Sequence, residues 1–135
     1  MGLDNGFYVH SRKRSLTREN LPRGIVFPFS EDIGGPPEII YWRKNWGLRE
    51  AVLDIIGKGD NKTCCYPIDT PKEVFNIVHA IFSFMNEVDW EMKGESIWTY
   101  EEIKPTLERD IINLILMIPF MRENPDVYLE FYDSY

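Results

Sequence analysis

The side chains best suited to chemistry are concentrated in residues 38–50, where a strand-like pattern changes to a helix-like one. This segment combines tryptophans with cationic and phenolic side chains: Tyr41, Trp42, Arg43, Lys44, Trp46 and Arg49. The free amides at a helix start favour an anion, and an arginine can clamp that anion with two parallel hydrogen bonds. Arg43, Lys44 and the helix start near Trp46 therefore predict an anion-binding site.

Side-chain alternation along the strand divides this segment between two surfaces. Tyr41 and Arg43 would face one side of a sheet, whereas Trp42 and Lys44 would face the other. Only one of these sides can be the core covered by helices, so the segment cannot act as a single site. We expect Trp42 to pack in the core, which leaves Arg43 with Tyr41 as the candidate binding groups.

Two carboxylates near the chain ends complete the candidate site. Asp4 lies close to Gly2 and Gly6, whose small size allows the backbone or a ligand to approach it. If the terminal strands are neighbours, Asp4 and Asp133 would meet and could hold Mg²⁺. The structural alternatives are a turn stabilised by Asp4 and an ion pair between Arg43 and either acid. The candidate ligand-binding residues are Asp4, Tyr41, Arg43, Trp46 and Asp133.

The sequence lacks the motifs on which common enzymes depend. It has no nucleotide-binding loop, nucleophile motif or cluster of metal ligands, so we predict no catalytic residue, metal site or cofactor. Cys64 and Cys65 are adjacent, and the two histidines, His10 and His79, lie far from them in sequence. We expect reduced thiols in a loop or a short strand.

Charge is unevenly distributed along the 135 residues, whose net charge is −7. Residues 1–49 contain eight Lys or Arg and five Asp or Glu, so the remainder of the chain carries −10. An acidic surface repels phosphate, which makes nucleic acid an unfavourable partner. A basic run between Arg12 and Arg23 is the exception. It would either contact nucleic acid or form a solvated mobile loop within residues 13–37.

The elements that must position these side chains are three strands and about three helices. Alternation predicts strands at residues 7–12, 38–43 and 127–132, and a short edge strand at 25–29 that Pro28 would limit. Helices are predicted after the caps at Asn45 and Thr70 and from Thr99, with a break or kink at Pro105. The chain should therefore form a single α+β domain, in which the helices pack on one face of a small, mainly antiparallel sheet.

Four segments resemble a family of small proteins found in phages, prophages and bacterial genomes. Its members begin Met-Gly-Leu-Asp, as at positions 1–4, and carry Tyr-Trp-Arg-Lys before a helix, as at Tyr41–Lys44. They also share an acidic, aromatic helix start like Trp98–Ile103 and an aromatic last strand like Val127–Tyr135. Where the family often has a histidine after the asparagine, this chain has Trp46–Arg49. The resemblance implies a common architecture and no particular activity.

Together these features predict a cytoplasmic, non-enzymatic interaction protein, an accessory factor of a phage or mobile element that binds a host protein. Aromatic and arginine side chains are the types that anchor interfaces. The alternative is a small-molecule or anion-binding protein, or a hydrolytic enzyme, with its site near Tyr41–Arg49. No segment is apolar enough to span a membrane. The oligomeric state is open, and an uncovered sheet edge would allow a homodimer.

Overall fold

The structure is a computed structural model that describes residues 4–57, 65–86 and 100–134. Its strands are β1 (Asp4–Ser11), β2 (Glu38–Arg43), β3 (Cys65–Ile68) and β4 (Val127–Ser134), and its helices are α1 (Trp46–Ile56), α2 (Pro71–Met85) and α3 (Tyr100–Glu123). The strands form one antiparallel sheet in the order β2-β1-β4-β3. The predicted α+β architecture is confirmed, with both terminal strands at the centre of the sheet.

Two of the helices begin where polar side chains can accept free backbone amides. The Asn45 side chain accepts the amide of Leu48 at 3.1 Å, and the Thr70 hydroxyl accepts that of Glu73 at 3.2 Å. Pro71 then occupies the first turn of α2, where the missing amide costs nothing. These contacts confirm the predicted starts of α1 and α2.

The helices cover one face of the sheet, and the core lies between them and that face. Phe7, Ile40 and Phe131, from three neighbouring strands, are fully buried there. The Phe7 ring lies 5.1 Å from the Phe131 ring, and it meets the Trp42 ring edge-on at 5.8 Å. Trp42 is therefore a core side chain, as alternation predicted.

Helix α3 joins this core through polar side chains. The indole nitrogen of Trp42 donates to the Asp110 carboxylate at 2.8 Å. The Asn113 amide donates to the carbonyl oxygens of Val26 at 2.8 Å and Ile39 at 3.0 Å, while its oxygen accepts the Val26 amide at 3.0 Å. Asn113 therefore satisfies both main-chain groups of Val26 without a neighbouring strand.

One local expectation differs from the structure, since residues 25–29 do not form the expected edge strand. Cys65 lies in the short strand β3, which is one of the two settings expected for the cysteines. Helix α3 continues through Pro105, which agrees with the alternative of one helix rather than two. The capping motif predicted at Thr99 lies outside the described residues, and so does Cys64, the neighbour of Cys65. Leu16 and Leu21 within the 13–37 segment are buried, and the mobility of that segment stays a prediction.

The opposite side of the sheet carries no helix among the described residues. Its side chains, here called the open face, are Asp4, Tyr8, His10, Glu38, Tyr41, Arg43, Tyr128, Glu130 and Tyr132. Arg43 is exposed, and the others are partly exposed. No helix in the described part of the chain is long and apolar enough to cross a membrane.

Candidate functional site: the open face of the sheet

A glycine, Gly6, leaves room for side chains of β2 and β4 to meet at the centre of the open face. Gly6 pairs with Tyr41 on one side and with Tyr132 on the other. A Cβ atom at Gly6 would lie 2.7 Å from both the Tyr132 ring and the Glu38 carboxylate, and 2.3 Å from the Ile40 carbonyl oxygen. Only glycine therefore lets Glu38 and Tyr132 meet across β1.

These two side chains form a hydrogen bond across β1. The Tyr132 hydroxyl donates to Glu38, and the Tyr132 ring lies 4.9 Å from that of Tyr8. Burial raises the pKa of the Glu38 carboxyl, an effect that the Tyr132 hydrogen bond opposes. Burial and the neighbouring carboxylate both raise the pKa of Tyr132 well above its ordinary value, so its phenol remains a protonated donor.

A second phenol–carboxylate pair lies beside the first. The Tyr41 hydroxyl donates to Asp4 at 2.8 Å, and burial, with help from Asp4, raises the pKa of Tyr41. The Phe29 ring from the 13–37 segment packs 5.0 Å from the Tyr41 ring. The predicted site residues Asp4 and Tyr41 thus belong to the open face.

The other end of the open face already holds a cationic group. The Arg12 guanidinium lies 4.3 Å from the centre of the Tyr128 ring and 2.5 Å from an oxygen of Asp69. His10 stacks on Tyr128 at 5.3 Å, and its Nε2 lies 3.2 Å from Glu130. Aromatic rings and carboxylates around a guanidinium are the usual features of a cation-recognition site.

A groove opens between the sheet and residues 29–37. It encloses about 570 Å³, and its lining includes Tyr8, Phe29, Glu31, Asp32 and Glu38. That volume lies within the range of ordinary ligand sites. Among the described residues, this groove adds concave shape to the mixed aromatic and acidic chemistry of the open face.

Arg18 maintains the wall of this groove. Its guanidinium donates to the main-chain oxygens of Phe29 at 2.8 Å, Glu31 at 3.0 Å and Ser30 at 3.4 Å. The same guanidinium stacks 4.4 Å from the Phe27 ring. Arg18 is thus bound to the loop's own carbonyl groups, and the groove's charged lining is otherwise acidic.

Asp133 lies on the helix-covered side, away from Asp4. Arg49 donates two hydrogen bonds to its carboxylate, each 2.8 Å long, and the Asn5 amide donates a third at 2.7 Å. Asp133 lies opposite Asn5 in the register, and Asp4 is the residue before Asn5. Because successive side chains of a strand point to opposite faces, the two acids face opposite sides of the sheet. No group of three or more potential metal ligands occurs in the part of the chain that the structure describes.

Arg43 lies directly opposite Asp4 in the register of β1 and β2, on the same side of the sheet as the Asp4–Tyr41 hydrogen bond, whereas Trp46 lies at the start of α1. The Trp46 ring is 41% exposed, and the Arg49 guanidinium lies 5.6 Å from it. Arg43 is exposed and lines a small cavity of about 100 Å³ together with Trp42 and Glu102. The five predicted residues therefore occupy three places: Asp4, Tyr41 and Arg43 lie on the open face, Asp133 lies in the buried pair with Arg49, and Trp46 lies at the start of α1.

Sequence reasoning did not identify most of the open face. The alternation of polar and apolar side chains in β1 and β4 predicted the strands and nothing more. Its polar positions include Tyr8, Tyr128, Glu130 and Tyr132. Tyrosine on the polar side of two strands was the signal available. The pairing of β1 with β4 and the location of the helices were needed to show that these rings share an open surface.

Comparison with protein-family models, curated proteins and solved structures finds no significant match to this chain.

Proposed function

We propose that this protein is a non-enzymatic interaction protein whose open face binds a lysine- or arginine-bearing segment of a partner protein. In keeping with the resemblance noted above, we also propose that it is an accessory factor of a phage or mobile element and that the partner is a host protein. Neither part of the proposal requires a catalytic residue or a cofactor.

The observation that carries this proposal is the position of Arg12. Its guanidinium lies between the Tyr128 ring and the Asp69 carboxylate, so the chain itself shows how this end of the face holds a cation. Further along the same face, Tyr8 and Tyr132 supply two more rings, and Glu38 supplies a carboxylate. A partner's cationic side chain would find the same two kinds of contact there.

Charge complementarity favours a basic partner over an acidic one. The protein carries a net charge of −7, and the open face holds Asp4, Glu38 and Glu130, with Arg43 opposite Asp4 at one end. Complementary charge steers a partner toward the surface and discriminates against like-charged competitors. Tyrosines add contact area with little loss of side-chain entropy, as at other recognition surfaces.

A defined peptide tests this proposal. We expect an unstructured peptide of alternating arginine and serine to shift the amide resonances of β1 and β4 in the ¹⁵N-labelled protein. Glu130→Gln should weaken its binding severalfold, because a charged contact is lost from the open face. Glu123→Gln, an exposed position on α3, removes the same charge elsewhere and should leave binding unchanged. Equal losses in both variants, or shifts confined to the helices, would contradict the proposal.

Anion binding at Arg43 is the second candidate, favoured by the cavity that Arg43 shares with Asn45 at the start of α1. Its small volume limits it to a small ion, and the Glu102 carboxylate in its wall opposes anion binding. Arg43→Ala should abolish stabilisation by inorganic phosphate in a thermal-shift assay without lowering the melting temperature of the free protein. No stabilisation of the parent protein by phosphate would remove this candidate.

A further inference from the structure

The groove beside residues 29–37 has a floor and a wall of different origin. The floor is the sheet itself, with the Tyr8 ring and the half-buried Glu38 carboxylate. The wall is a loop that presents Phe29, Glu31 and Asp32. Aromatic and acidic groups therefore face the same space from two independent parts of the chain.

Both sides of the groove are held in place before any ligand arrives. The Glu38 carboxylate is bound by the Tyr132 hydroxyl, and Gly6 leaves room for that contact. In the wall, Arg18 binds three successive main-chain oxygens, and Asp32 accepts the Gly34 amide at 3.0 Å. A preorganised site loses less free energy on binding, because few groups must be ordered.

The lining selects for one charge. Acidic side chains on both the floor and the wall repel an anion, while the Tyr8 and Phe29 rings offer negative faces to a cation. The one cationic lining residue, Arg18, already donates to loop carbonyls. An extended aliphatic stem with a terminal charge fits this combination, because its methylene groups can lie on the rings while its head reaches a carboxylate.

We infer that this groove is a specificity pocket for one alkylammonium or guanidinium group, delivered by a lysine or arginine side chain of the basic segment. The inference rests on the proposed function for the source of that group. The groove would select one side chain of the segment, whereas the rest of the open face binds the segment as a whole.

Small cations test the pocket independently of any peptide. We expect ethylguanidinium and butylammonium chloride to shift the amide resonances of residues 29–38, and sodium acetate at equal ionic strength to leave them unshifted. Glu38→Gln retains an acceptor for Tyr132, and Asp32→Asn retains one for Gly34, so both variants should fold. Each variant should bind the small cations about tenfold more weakly, as expected for loss of a charged hydrogen bond. Glu19→Gln, which removes an exposed charge outside the groove lining, should have no effect.

The peptide then distinguishes the two proposals. Replacing a single arginine with citrulline at the selected position should cost the parent protein about tenfold in affinity, but should cost Glu38→Gln little. Peptide binding to the open face without any cation response at residues 29–38 would overturn the pocket and leave the proposed function standing. Cation binding in the groove without peptide binding would support the pocket and remove the proposed function.

Discussion

Asp110 shows how one buried carboxyl makes the core sensitive to pH. It lies under Trp42, whose indole nitrogen donates to it at 2.8 Å, and only 1% of its surface is exposed. Burial raises the pKa of Asp110 from 3.8 to about 7, although the Trp42 hydrogen bond and Arg109 act in the opposite direction. The folded state therefore binds this proton more tightly than the unfolded state does.

We predict that this group makes the protein lose stability as the pH rises from about 4 to about 7. Below this range Asp110 is protonated in both states, whereas above it the folded state must bury a charge. At roughly 1.4 kcal/mol per pH unit, the loss amounts to roughly 4 kcal/mol.

Asp110→Asn should lack this component, because its amide oxygen still accepts the Trp42 hydrogen bond and cannot ionise. The measurement is urea unfolding of both proteins between pH 4 and pH 8. The variant should become the more stable protein above pH 7. Parallel pH profiles for the two proteins would show that folding does not raise the pKa of Asp110.

Arg49 and Asp133 form the buried ion pair of the sheet's helix-covered side. Both side chains are largely shielded, at 14% and 4% exposure. We predict that Arg49→Ala will lower the free energy of unfolding by about 3–5 kcal/mol, because it leaves an uncompensated buried carboxylate. Chemical denaturation at pH 7 measures this loss.

Arg12→Ala is the matched control for that prediction. It breaks an arginine–aspartate pair whose two side chains are about half exposed and whose charges water can solvate. It should therefore change stability far less than Arg49→Ala. Equal effects would indicate that burial does not determine the strength of these pairs.

At the scale of elements, β1 determines the geometry of the open face. It is hydrogen-bonded to β2 and β4, and its Gly6 is the place where side chains from those neighbours cross it. We predict that Gly6→Ala will destabilise the fold by about 1–3 kcal/mol, as overpacking usually does. The added methyl would collide with the Ile40 carbonyl as well as with two side chains.

Tyr8→Ala separates this effect from a general loss of the open face. It lies on the same side of β1 and removes a ring without adding an atom. The Tyr132 ring resonances should move in both variants, because the Tyr8 ring lies 4.9 Å from the Tyr132 ring. The hydrogen bond from Tyr132 to Glu38 separates them, since Gly6→Ala should break it and Tyr8→Ala leaves both of its partners in place. A Gly6→Ala protein with unchanged stability and unchanged Tyr132 resonances would contradict the proposed packing.

The sequence predicted the elements that carry their own local signals. Alternation in residues 38–43 and the Asn45 cap were enough to locate β2 and the start of α1. The short β3 lacks such a signal: it has four residues, includes Pro67, and exists because β4 offers a pairing edge. The open face could not be predicted either, because helices distant in sequence determine whether Tyr8 and Tyr132 are covered.

At the scale of the whole molecule, the two faces of the sheet have separate roles. The helices and the core occupy one face, which contains the Arg49–Asp133 pair and the Asp110 carboxyl. The other face contributes few core contacts, so substitutions there can alter binding while preserving the fold. This separation makes the binding proposal testable with folded variants.

We predict that basic-peptide binding will weaken severalfold when ionic strength rises from about 0.05 M to about 0.5 M, because salt screens exposed charges. The decisive comparison keeps net charge constant: Glu38→Gln/Glu130→Gln alters the open face, whereas Glu101→Gln/Glu123→Gln alters exposed positions on α3. The salt dependence should flatten only in the first variant if local carboxylates attract the peptide. If both variants flatten it equally, the attraction arises from the overall charge of the molecule, and the open face would lose its assigned role.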